Sequence, residues 1–523
     1  MATEIDTEIL VIGAGVAGVT AALSAARGGA NVLLITRSPD LFDSNTGHAQ
    51  GGIIATAPGD SPELLAKDII NAGAQMSDPR VARHLAEKAP PLLQRLLIDE
   101  LGVKFDRDAN GEFDLTEEGA HSLRRIVHAG DLTGRAIMEG LLEAARVEER
   151  ITIRPGLLAV DLLSLPDHSA RRLDIYRSQC CVGVYGLDTE TGEVITVTAR
   201  QTILATGGLG QLYVHSTNPK GARGDGAAMA YRLGARLLNL EFVQFHPTAL
   251  YHRDADCFLI SESMRGEGGV LVDNEGRDFM PDFHPRGSLA PRDVVARAIQ
   301  QKMLESGHPC VYLDISHKNA EWLRGRFPHI SATCLRFGVD IARQPIPVVP
   351  AAHYACGGVA VDLAGRTTIP RLRAVGEVSC TGLHGANRLA STSLLEGLLW
   401  GWEAGADSAR ELREGKGDAF PIPPIRPFVA ETEPADPALM AQDWLTIKYT
   451  MWNYVGLTRT PRRMSRALSM LRELQFEIMS FYQKAQPTDA VIGLRNGITA
   501  ALAVLFAAQR NHASCGCHYL EED

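Results

Sequence analysis

An α/β fold built on a parallel sheet is predicted by three segments in which a short apolar run ends at a glycine turn. The first is the run 8–12, which enters a Gly-x-Gly-x-x-Gly turn at 13–18 and continues into an alanine-rich helical pattern. The second run closes at 206–208 and the third at 376–377. A strand that feeds a glycine turn and then a helix is typical of the Rossmann-like arrangement. We therefore expect a Rossmann-like domain that binds a large cofactor.

The first glycine turn predicts a dinucleotide phosphate site. Its first glycine makes the tight turn, the second lets the backbone approach a pyrophosphate, and the third lets the helix pack on the strand. The phosphates would lie at the helix N-terminus, against N–H groups that have no partner inside the helix. The predicted contacts are Gly13, Ala14, Gly15, Val16, Ala17 and Gly18.

The second strand leaves two cofactors open. The run 30–36 is followed by Arg37, where an NAD-binding unit would place an acidic residue for the ribose hydroxyls. Arg37 is suited to the extra phosphate of NADP, or the chain is a flavoprotein that holds its ribose differently. The later turns favour FAD, because Thr206 and Gly207 allow close backbone approach and Glu377 is suited to ribose or ribityl hydroxyls.

Bulk composition excludes several classes of protein. With 523 residues the chain is expected to form two to four domains, and a net charge of −10 argues against nucleic acid or an anionic membrane as a partner. Nine cysteines without a Cys-x-x-Cys pair predict neither a disulfide framework nor a metal site. The chain enters its first strand without a targeting segment, and the most apolar long run, 498–508, is too short to span a bilayer. We expect a cytoplasmic protein.

A series of long polar motifs resembles the succinate dehydrogenase/fumarate reductase flavoprotein family. They keep the family's order over about residues 8–470 and are far more specific than a glycine turn alone. The motifs are A-Q-G-G-I (49–53), E-G-A-H-S (118–122), R-G-D-G-A-A-M-A (223–230), Q-F-H-P-T-A-L (244–250), S-E-S-M-R-G-E-G-G (261–269), L-A-P-R-D-V-V-A-R-A (289–298), V-P-A-A-H-Y-A-C-G-G-V (349–359) and G-E-V-S-C-T-G-L-H-G-A-N-R-L-A-S-T-S-L-L-E (376–396).

The resemblance implies a Rossmann-like FAD-binding domain that is split by an inserted α+β capping domain and followed by a helical domain. The FAD-binding domain would cover 1–240 and 353–420, the capping domain 241–352, and the C-terminal helical domain 421–523. A proline-rich segment at 421–437 supports the last boundary independently. Beyond it, residues 444–481 and 490–509 are expected to be helical, and the basic run 459–466 is interpreted as a solvated helix face.

The resemblance also implies which residues hold FAD. Relatives that bind FAD covalently use a histidine at the position of Asn45, so non-covalent FAD is expected here. The helix that begins at Ser393 would point its N-terminus at the flavin, where negative charge gathers on reduction. The leucines of this helix are also typical of an amphipathic helix that packs in an apolar core, and the helix can have both roles. The further predicted cofactor contacts are Asn45, Thr46, Gly47, His48, Ala49, Gln50, Gly51, Gly52, Val160, Asp225, Ser393 and Leu394.

A dicarboxylate substrate needs cations and hydrogen-bond donors at both ends, and arginine matches a carboxylate best. By resemblance, Arg292 is the general acid/base, and its high pKa requires a proton relay through neighbours, for which Glu262 and Arg265 are the candidates. The carboxylate-binding residues implied by the family are His246, His353 and Arg388, and Ser261 joins the substrate site in place of the commoner threonine.

Glu118 distinguishes between branches of the family. In the aspartate-oxidising branch a glutamate at this position orients the substrate amine, whereas a dicarboxylate without an amine needs no anion there. The expected reaction is therefore oxidation of L-aspartate to iminoaspartate, with electrons passed to oxygen or fumarate and the product used for quinolinate and NAD synthesis. One alternative is a soluble fumarate reductase or succinate dehydrogenase-type flavoprotein. The other is a flavin-binding protein without catalytic activity that serves as an interaction module. A monomer or weak homo-oligomer is expected, with quinolinate synthase as a possible partner.

Overall fold

The computed structural model describes residues 4–255, 258–415 and 421–522. Its strands, in chain order, are β1 Glu4–Ile12, β2 Val32–Thr36, β3 Ile53–Ile54, β4 Ile126–Val127, β5 Ile151–Pro155, β6 Leu157–Ser164, β7 Cys181–Asp188, β8 Val194–Leu204, β9 Leu237–Leu238, β10 Val243–Leu250, β11 Val270–Val272, β12 Val311–Asp314, β13 Ile346–Ala355, β14 Gly358–Ala360, β15 Leu372–Ala374 and β16 Ser379–Cys380.

Within the described residues, helices alternate with these strands in the first half of the chain and make up most of its C-terminal part. They are α1 Val16–Arg27, α2 Pro62–Ala72, α3 Pro79–Leu92, α4 Thr133–Val147, α5 Leu165–His168, α6 Asp225–Arg232, α7 Ser263–Gly266, α8 Arg292–Ser306, α9 Ala320–Arg326, α10 Pro328–Arg336, α11 Ser393–Arg413, α12 Pro437–Tyr454, α13 Pro461–Tyr482 and α14 Asp489–Arg510. Helix α3 continues as a wider π-helix over Leu93–Glu100, and shorter 3₁₀ turns occupy Arg172–Tyr176, Gly210–Leu212, Met280–Asp282, Gly287–Leu289 and Gly376–Val378.

The central sheet has the strand order β5-β2-β1-β8-β7-β6, and β15 also pairs with β8. Strand β1 pairs in parallel with β2 and with β8, while β6 and β7 form antiparallel pairs. The last four residues of β1, 9–12, are almost completely buried, as expected for a parallel strand covered on both faces. The carboxyl ends of β1, β8 and β15 therefore meet at one edge, where the three predicted glycine turns come together.

Glycines bring α11 into direct contact with α1. A Cβ atom at Gly401 would lie 2.4 Å from the carbonyl oxygen of Ala17, and one at Gly405 would lie 2.3 Å from that of Ala21. Only glycine allows two helix backbones to approach so closely. This packing places the N-terminus of α11 beside the N-terminus of α1, at the same edge of the sheet.

A second, antiparallel sheet covers this edge. Its strand order is β10-β13-β12-β11, and helix α8 packs against it through a separate apolar core that includes Val295, Ile299, Leu313 and Val348. In the β10–β13 pair, His246 lies opposite Ala351, so the sheet brings the two histidine motifs of the sequence side by side. Strand β13 runs through the predicted boundary at 352–353, and the domain limits stay a prediction.

Two expectations for the C-terminal part need correction. The helix expected over 444–481 is two helices, because Pro461 begins α13 and the Thr460 side chain caps it by accepting a hydrogen bond from the Arg463 N–H. The basic run 459–466 is not a fully solvated face, since Arg459 is 0% exposed. Its Nη1 donates to the Glu241 carbonyl oxygen at 2.9 Å, which ties the C-terminal helices to the body of the chain.

Helix α14 is longer than the apolar run that predicted it. It spans 22 residues and is apolar enough to cross a membrane, but 72% of its most apolar window is buried inside the protein. It packs with α12 and α13 in one core that includes Ile447, Leu471, Ile498 and Leu505. The helix is therefore a core element of a helical unit. The predicted boundary at residue 420 and the terminal residue 523 lie outside the described residues.

Candidate active site

A long cavity follows the carboxyl edge of the parallel strands and continues beneath the second sheet. Most of the predicted site residues line it. They are Gly13, Ala14, Gly15, Val16, Ala17, Arg37, Asn45, Thr46, His48, Ala49, Gln50, Gly51, Gly52, Glu118, Thr206, Gly207, Asp225, His246, Ser261, Glu262, Arg292, His353, Glu377, Arg388, Ser393 and Leu394.

Four predicted residues lie outside the lining. Gly18 packs against the glycine turn, where a Cβ atom would lie 1.9 Å from the Gly13 carbonyl oxygen. Gly47 similarly fits against the backbone of Phe42. Val160 is buried in an apolar cluster beneath the sheet, and Arg265 lies behind the cavity beside Glu262. The residues of β6 that reach the cavity are the three that precede Val160, namely Leu157, Leu158 and Ala159.

The glycine turn at 13–18 opens a path to the N-terminus of α1. Gly13 has a φ of +113°, and a Cβ atom there would lie 2.2 Å from the Ala205 carbonyl oxygen. The N–H of Val16, in the first turn of α1, donates to Thr46 Oγ1 at 3.1 Å. The positive end of α1 therefore faces the cavity with little side chain in the way, which suits a pyrophosphate.

Arg37 is held by carboxylates. Its Nη2 lies 3.3 Å from Asp43 Oδ2 and its Nη1 lies 3.5 Å from Asp489 Oδ2, the first residue of α14. Asp489 also pairs with Arg223 at 2.9 Å, and Arg223 pairs with the cavity-lining Asp225 at 3.0 Å. Two carboxylates already balance the charge of Arg37, which leaves it poorly suited to the extra phosphate of NADP.

Glu377 and Asn45 meet in the middle of the cavity. Asn45 Nδ2 donates to Glu377 Oε2 at 2.7 Å, and the Ala355 N–H donates to Glu377 Oε1 at 3.0 Å. Burial raises the pKa of Glu377 to about 7, against the lowering effect of these hydrogen bonds. A carboxyl group close to its pKa at neutral pH can accept hydrogen bonds from sugar or ribityl hydroxyls.

Unpartnered polar atoms test whether the cavity fits FAD. Among the described residues, Asn45 Oδ1, Gln50 Oε1, Thr206 Oγ1 and Arg388 Nε are buried without a hydrogen-bond partner in the protein. All four residues line the cavity. Buried polar groups are rarely left unpaired, so these atoms mark places where a bound molecule supplies partners. Their spread along the whole cavity fits an extended cofactor such as FAD.

Two histidines form one side of the far end of the cavity. The rings of His246 and His353 meet edge to face with centroids 5.2 Å apart, and His353 Nδ1 lies 2.9 Å from Thr217 Oγ1. Burial, followed by the charges nearby, lowers the pKa of both rings well below the usual value of histidine. Both imidazoles are therefore neutral at pH 7 and can donate or accept hydrogen bonds without adding charge.

Arg388 lies across from the histidines. Its guanidinium stacks on the ring of Tyr354 at 4.7 Å, and its Nη1 lies 3.4 Å from Ser393 Oγ. The Tyr354 hydroxyl donates to Glu396 Oε2 at 2.9 Å, which fixes the ring that supports the arginine. Arg388 thus presents a planar, charged group in a fixed direction.

Arg292, Glu262 and Arg265 form a buried charge cluster. Arg292, the first residue of α8, donates through Nε to Glu262 Oε2, and Arg265 Nη2 lies 3.6 Å from Glu262 Oε1. Burial opposes ionisation of Glu262, but the two guanidinium groups outweigh it and hold the pKa of the carboxyl at about 2. The structure thus brings the predicted proton carrier and both relay candidates together.

Glu118 is 8% exposed, whereas Glu112, Asp114 and Glu117, which come just before it, are exposed. Its Oε2 accepts a hydrogen bond from Ser391 Oγ at 2.7 Å. Burial raises the pKa of Glu118, while the positive charge of Arg292 acts in the opposite direction. Ser261 is also buried and lines the same end of the cavity. The predicted substrate residues thus converge on one chamber with cations, neutral donors and two carboxyl groups, of which Glu262 is paired with Arg292 and Arg265 and Glu118 has no such ion pair within the described residues.

Three residues in or directly behind this chamber, Gln244, Tyr354 and Ser391, were not predicted as site residues; Tyr354 and Ser391 line the cavity. Gln244 accepts a hydrogen bond from Arg292 Nη1 at 3.3 Å and donates to the Arg388 carbonyl oxygen at 2.9 Å. Tyr354 supports Arg388, and Ser391 contacts Glu118. Each lies inside a motif, within two residues of a predicted one, so proximity within the motif was the available signal.

Comparison with known proteins identifies the family. A protein-family model with the description "FAD binding domain" matches residues 8–394. L-aspartate oxidase 1 of Ralstonia nicotianae is 43% identical, over 98% of this chain and 94% of its own, and L-aspartate oxidase of Pseudomonas aeruginosa is 42% identical, over 99% and 96%. Quinol fumarate reductase FrdA of E. coli superimposes with a TM-score of 0.86 at 27% identity, over 99% of this chain and 92% of that one. The chain therefore belongs to the L-aspartate oxidase family of FAD-binding flavoproteins.

Proposed function

We propose that this protein is an FAD-dependent oxidoreductase that oxidises L-aspartate to iminoaspartate. The observation that carries the proposal is the position of Glu118, a buried carboxylate in the same chamber as Arg292, Arg388 and the two neutral histidines. Dicarboxylate binding explains the cations and donors. An α-ammonium group explains the anion, which a substrate without an amine would not need.

Non-covalent FAD would lie along the cavity. Residues at the α1 turn would hold its pyrophosphate, Glu377 its hydroxyls, and the α11 N-terminus at Ser393 and Leu394 its ring. When bound, FAD supplies the acceptor for the two electrons and the hydrogen that leave the substrate. Asn45, at the position where covalent relatives have histidine, offers an amide that cannot bond to the flavin.

The chamber binds and orients the substrate. Arg388 would pair with one carboxylate and His353 would donate to it, while His246 and Ser261 would hold the other. Glu118 would accept hydrogen bonds from the substrate ammonium group. Fixing both ends and the amine positions the reacting C–H bond, and exclusion of water by the second sheet strengthens each contact.

Oxidation to the imine removes a hydride from the substrate carbon and a proton from its ammonium group, and Arg292 would take part in carrying that proton away. In the opposite direction Arg292 would donate a proton to a carbon of fumarate. A guanidinium group releases protons reluctantly because of its high pKa. Glu262, hydrogen-bonded to Arg292 Nε, and Arg265 behind it offer a route along which the proton is replaced. Electrons from the reduced cofactor would pass to oxygen or to fumarate, which has the two carboxylates of the substrate but no amine.

The product would enter quinolinate and NAD synthesis, with quinolinate synthase as a partner. We place the protein in the cytoplasm as a monomer or weak homo-oligomer. The FAD-binding domain (1–240 and 353–420), the capping domain (241–352) and the helical domain (421–523) remain the proposed division of the chain. The helical domain would contribute Asp489 to the cofactor end of the cavity.

Anaerobic reduction of the flavin tests the proposal. L-aspartate should bleach the visible band of the purified protein, while succinate and D-aspartate leave it unchanged, and air should restore the band with release of peroxide. No bleaching by aspartate, together with reoxidation of chemically reduced enzyme by fumarate, would assign the protein to the fumarate reductase branch, which the structural similarity to E. coli FrdA favours as the second candidate. If neither aspartate nor fumarate reacts, the protein is a flavin-binding module without catalytic activity.

A further inference from the structure

The position of Glu118 depends on a loop with little regular structure. The loop is closed at its base, where the Thr116 N–H donates to the Ile126 carbonyl oxygen at 2.9 Å and the Ile126 N–H donates back at 3.2 Å. Between these residues the chain turns through Ala120, whose φ is +71°. A loop of this kind is placed by the side chains that hold it.

A buried arginine holds the loop from outside the cavity. Arg125 is 0% exposed, and its Nε lies 3.2 Å from Asp60 Oδ2 while its Nη1 lies 3.0 Å from Asp68 Oδ2. Asp68 Oδ2 also accepts hydrogen bonds from Ser122 N at 3.0 Å and from Ser122 Oγ at 2.7 Å. The carboxylate of Asp68, on α2, therefore fixes the loop at both Ser122 and Arg125, and burial makes the arrangement rigid.

The opposite side of the loop is held at the start of α11. His121 Nε2 lies 3.0 Å from the Ala390 carbonyl oxygen, and Ser391 Oγ donates to Glu118 Oε2. Ser391 has a φ of +57°, an unfavourable conformation for serine that the surrounding structure must impose. Glu118 thus lies between two anchors, one on α2 and one beside α11.

Packing around Glu118 leaves little room for adjustment. A Cβ atom at Gly119 would lie 2.5 Å from Glu262 Oε1, and one at Gly51 would lie 3.2 Å from Glu118 Oε1. A small displacement of the loop would therefore move the carboxylate relative to Arg292 and Arg388. A misplacement of about 1 Å in an active site can cost about 100-fold in rate.

We propose that the buried ion pair between Arg125 and Asp68 determines substrate specificity by positioning Glu118 for the amine of an amino dicarboxylate. The inference rests on the proposed function. Arg125, Asp68 and Ser122 are positioning residues, because none of them lines the cavity. A dicarboxylate without an amine uses the arginines and histidines of the chamber, which stand on other elements. The loop reaches this group only through the Gly119 backbone, which donates a hydrogen bond to Glu262, so the reaction of such a substrate depends much less on this anchor.

The Asp68→Asn variant tests the proposal, because it keeps an oxygen for Ser122 and removes the charge that faces Arg125. We expect kcat/KM for L-aspartate oxidation to fall about 10- to 100-fold. Fumarate reduction by chemically reduced enzyme should stay within about threefold of wild type, because its substrate lacks the amine. Asp161→Asn is the matched control, since Asp161 pairs with Arg232 and Arg495 away from Glu118, and it should leave both rates unchanged.

A double-mutant cycle with Glu118→Gln shows whether Asp68 acts through Glu118. In the Glu118→Gln background, Asp68→Asn should cause no further loss of aspartate oxidation. If the losses of the two single variants multiply in the double variant, the proposal is overturned. It is also overturned if Asp68→Asn alone lowers aspartate oxidation and fumarate reduction equally. If wild-type protein oxidises aspartate, such results refute only the role of the ion pair between Arg125 and Asp68. If wild-type protein reduces fumarate and ignores aspartate, the proposed function and this inference both fail.

Ser122→Ala provides a second test if Asp68→Asn does not fold with FAD bound. It removes the hydroxyl that bonds to Asp68 and to Arg125 but leaves the ion pair in place. We expect a smaller loss of aspartate oxidation, about 3- to 10-fold, again with fumarate reduction retained. Loss of both activities in parallel, or no loss of aspartate oxidation, would overturn the proposal.

Discussion

Arg292 donates a hydrogen bond through Nε to the carboxylate of Glu262, and both residues line the active-site chamber. With its pKa held at about 2, Glu262 remains charged at every pH at which the protein is expected to work. The ion pair fixes the guanidinium plane and leaves Nη1 within 3.3 Å of Gln244. Arg292 therefore has the rigid placement that a proton-transferring group requires.

Replacing Arg292 by leucine should nearly abolish turnover, by at least about 100-fold, because the proton carrier is lost. The flavin spectrum should be retained, since the residues at the α1 turn are untouched. Steady-state rates and the visible absorbance of the purified protein measure the two effects. Arg343→Leu, at an exposed arginine of the same inserted region, is the control and should behave as wild type. Substantial turnover by Arg292→Leu would refute the assigned role.

Replacing Glu118 by glutamine should separate the two reactions. Aspartate oxidation should fall by about 10- to 100-fold in kcat/KM, because a neutral amide no longer pairs with the ammonium group. Fumarate reduction should change much less, since fumarate has no amine. Comparing the two rates on the same enzyme preparation makes the measurement independent of the amount of active protein. Equal losses would contradict pairing of Glu118 with the amine.

Much of the cofactor end was predictable, because its determinants are local in the sequence. The turn at 13–18 carries its strand, glycines and helix within about twenty residues, and the structure places Gly13 and Gly15 at the cavity as expected. The helix that follows the turn begins at Val16, inside the glycine motif. Residues that line the cavity could be separated from those that pack behind it only with coordinates, as Val160 shows.

The contacts that fix the substrate end join distant parts of the chain. Ser391 and Glu118 are 273 residues apart, and Arg125 reaches two aspartates that no motif includes. Arg459 was misinterpreted for a related reason. A basic run predicts solvent exposure, but the carbonyl of Glu241 and the ring of His518 give this arginine buried partners from other elements. Pairing across such distances leaves no periodic signal in the sequence.

The pKa of Glu377 predicts how the stability of the cofactor-free protein depends on pH. A carboxyl with a folded-state pKa of about 7, raised by burial from 4.5, binds more protons in the folded than in the unfolded state between those values. The contribution of this group to stability is therefore fully present below about pH 4.5 and is lost as the pH rises through 7, with a loss of about 3 kcal/mol.

Denaturant unfolding of the apoprotein at pH 5, 6, 7 and 8 measures this effect. Glu377→Gln should flatten the decline between pH 5 and 8, because the amide does not ionise. The variant keeps the size of the side chain, so a difference in slope reports the carboxyl and not the packing. The same slope in both proteins would show that Glu377 does not titrate in this window.

The C-terminal helix should contribute to FAD affinity through Asp489. This residue pairs with Arg37 and Arg223, and Arg223 holds the cavity-lining Asp225. Asp489→Asn removes the carboxylate that fixes the positions of both arginines, and with them that of Asp225, so we expect the dissociation constant of FAD to rise by about tenfold, equivalent to about 1.4 kcal/mol. Titration of apoprotein with FAD, followed by flavin fluorescence, gives the constant directly.

The control for Asp489→Asn is Asp161→Asn, which removes another carboxylate that ties α14 to the body of the protein. Asp161 pairs with Arg495 of α14 at 2.8 Å and does not line the cavity. If Asp489 acts on the cofactor site through Arg37 and Asp225, only Asp489→Asn weakens FAD binding. If both variants release FAD equally, loosening of α14 explains the loss, and Asp489 has no specific part in holding the cofactor.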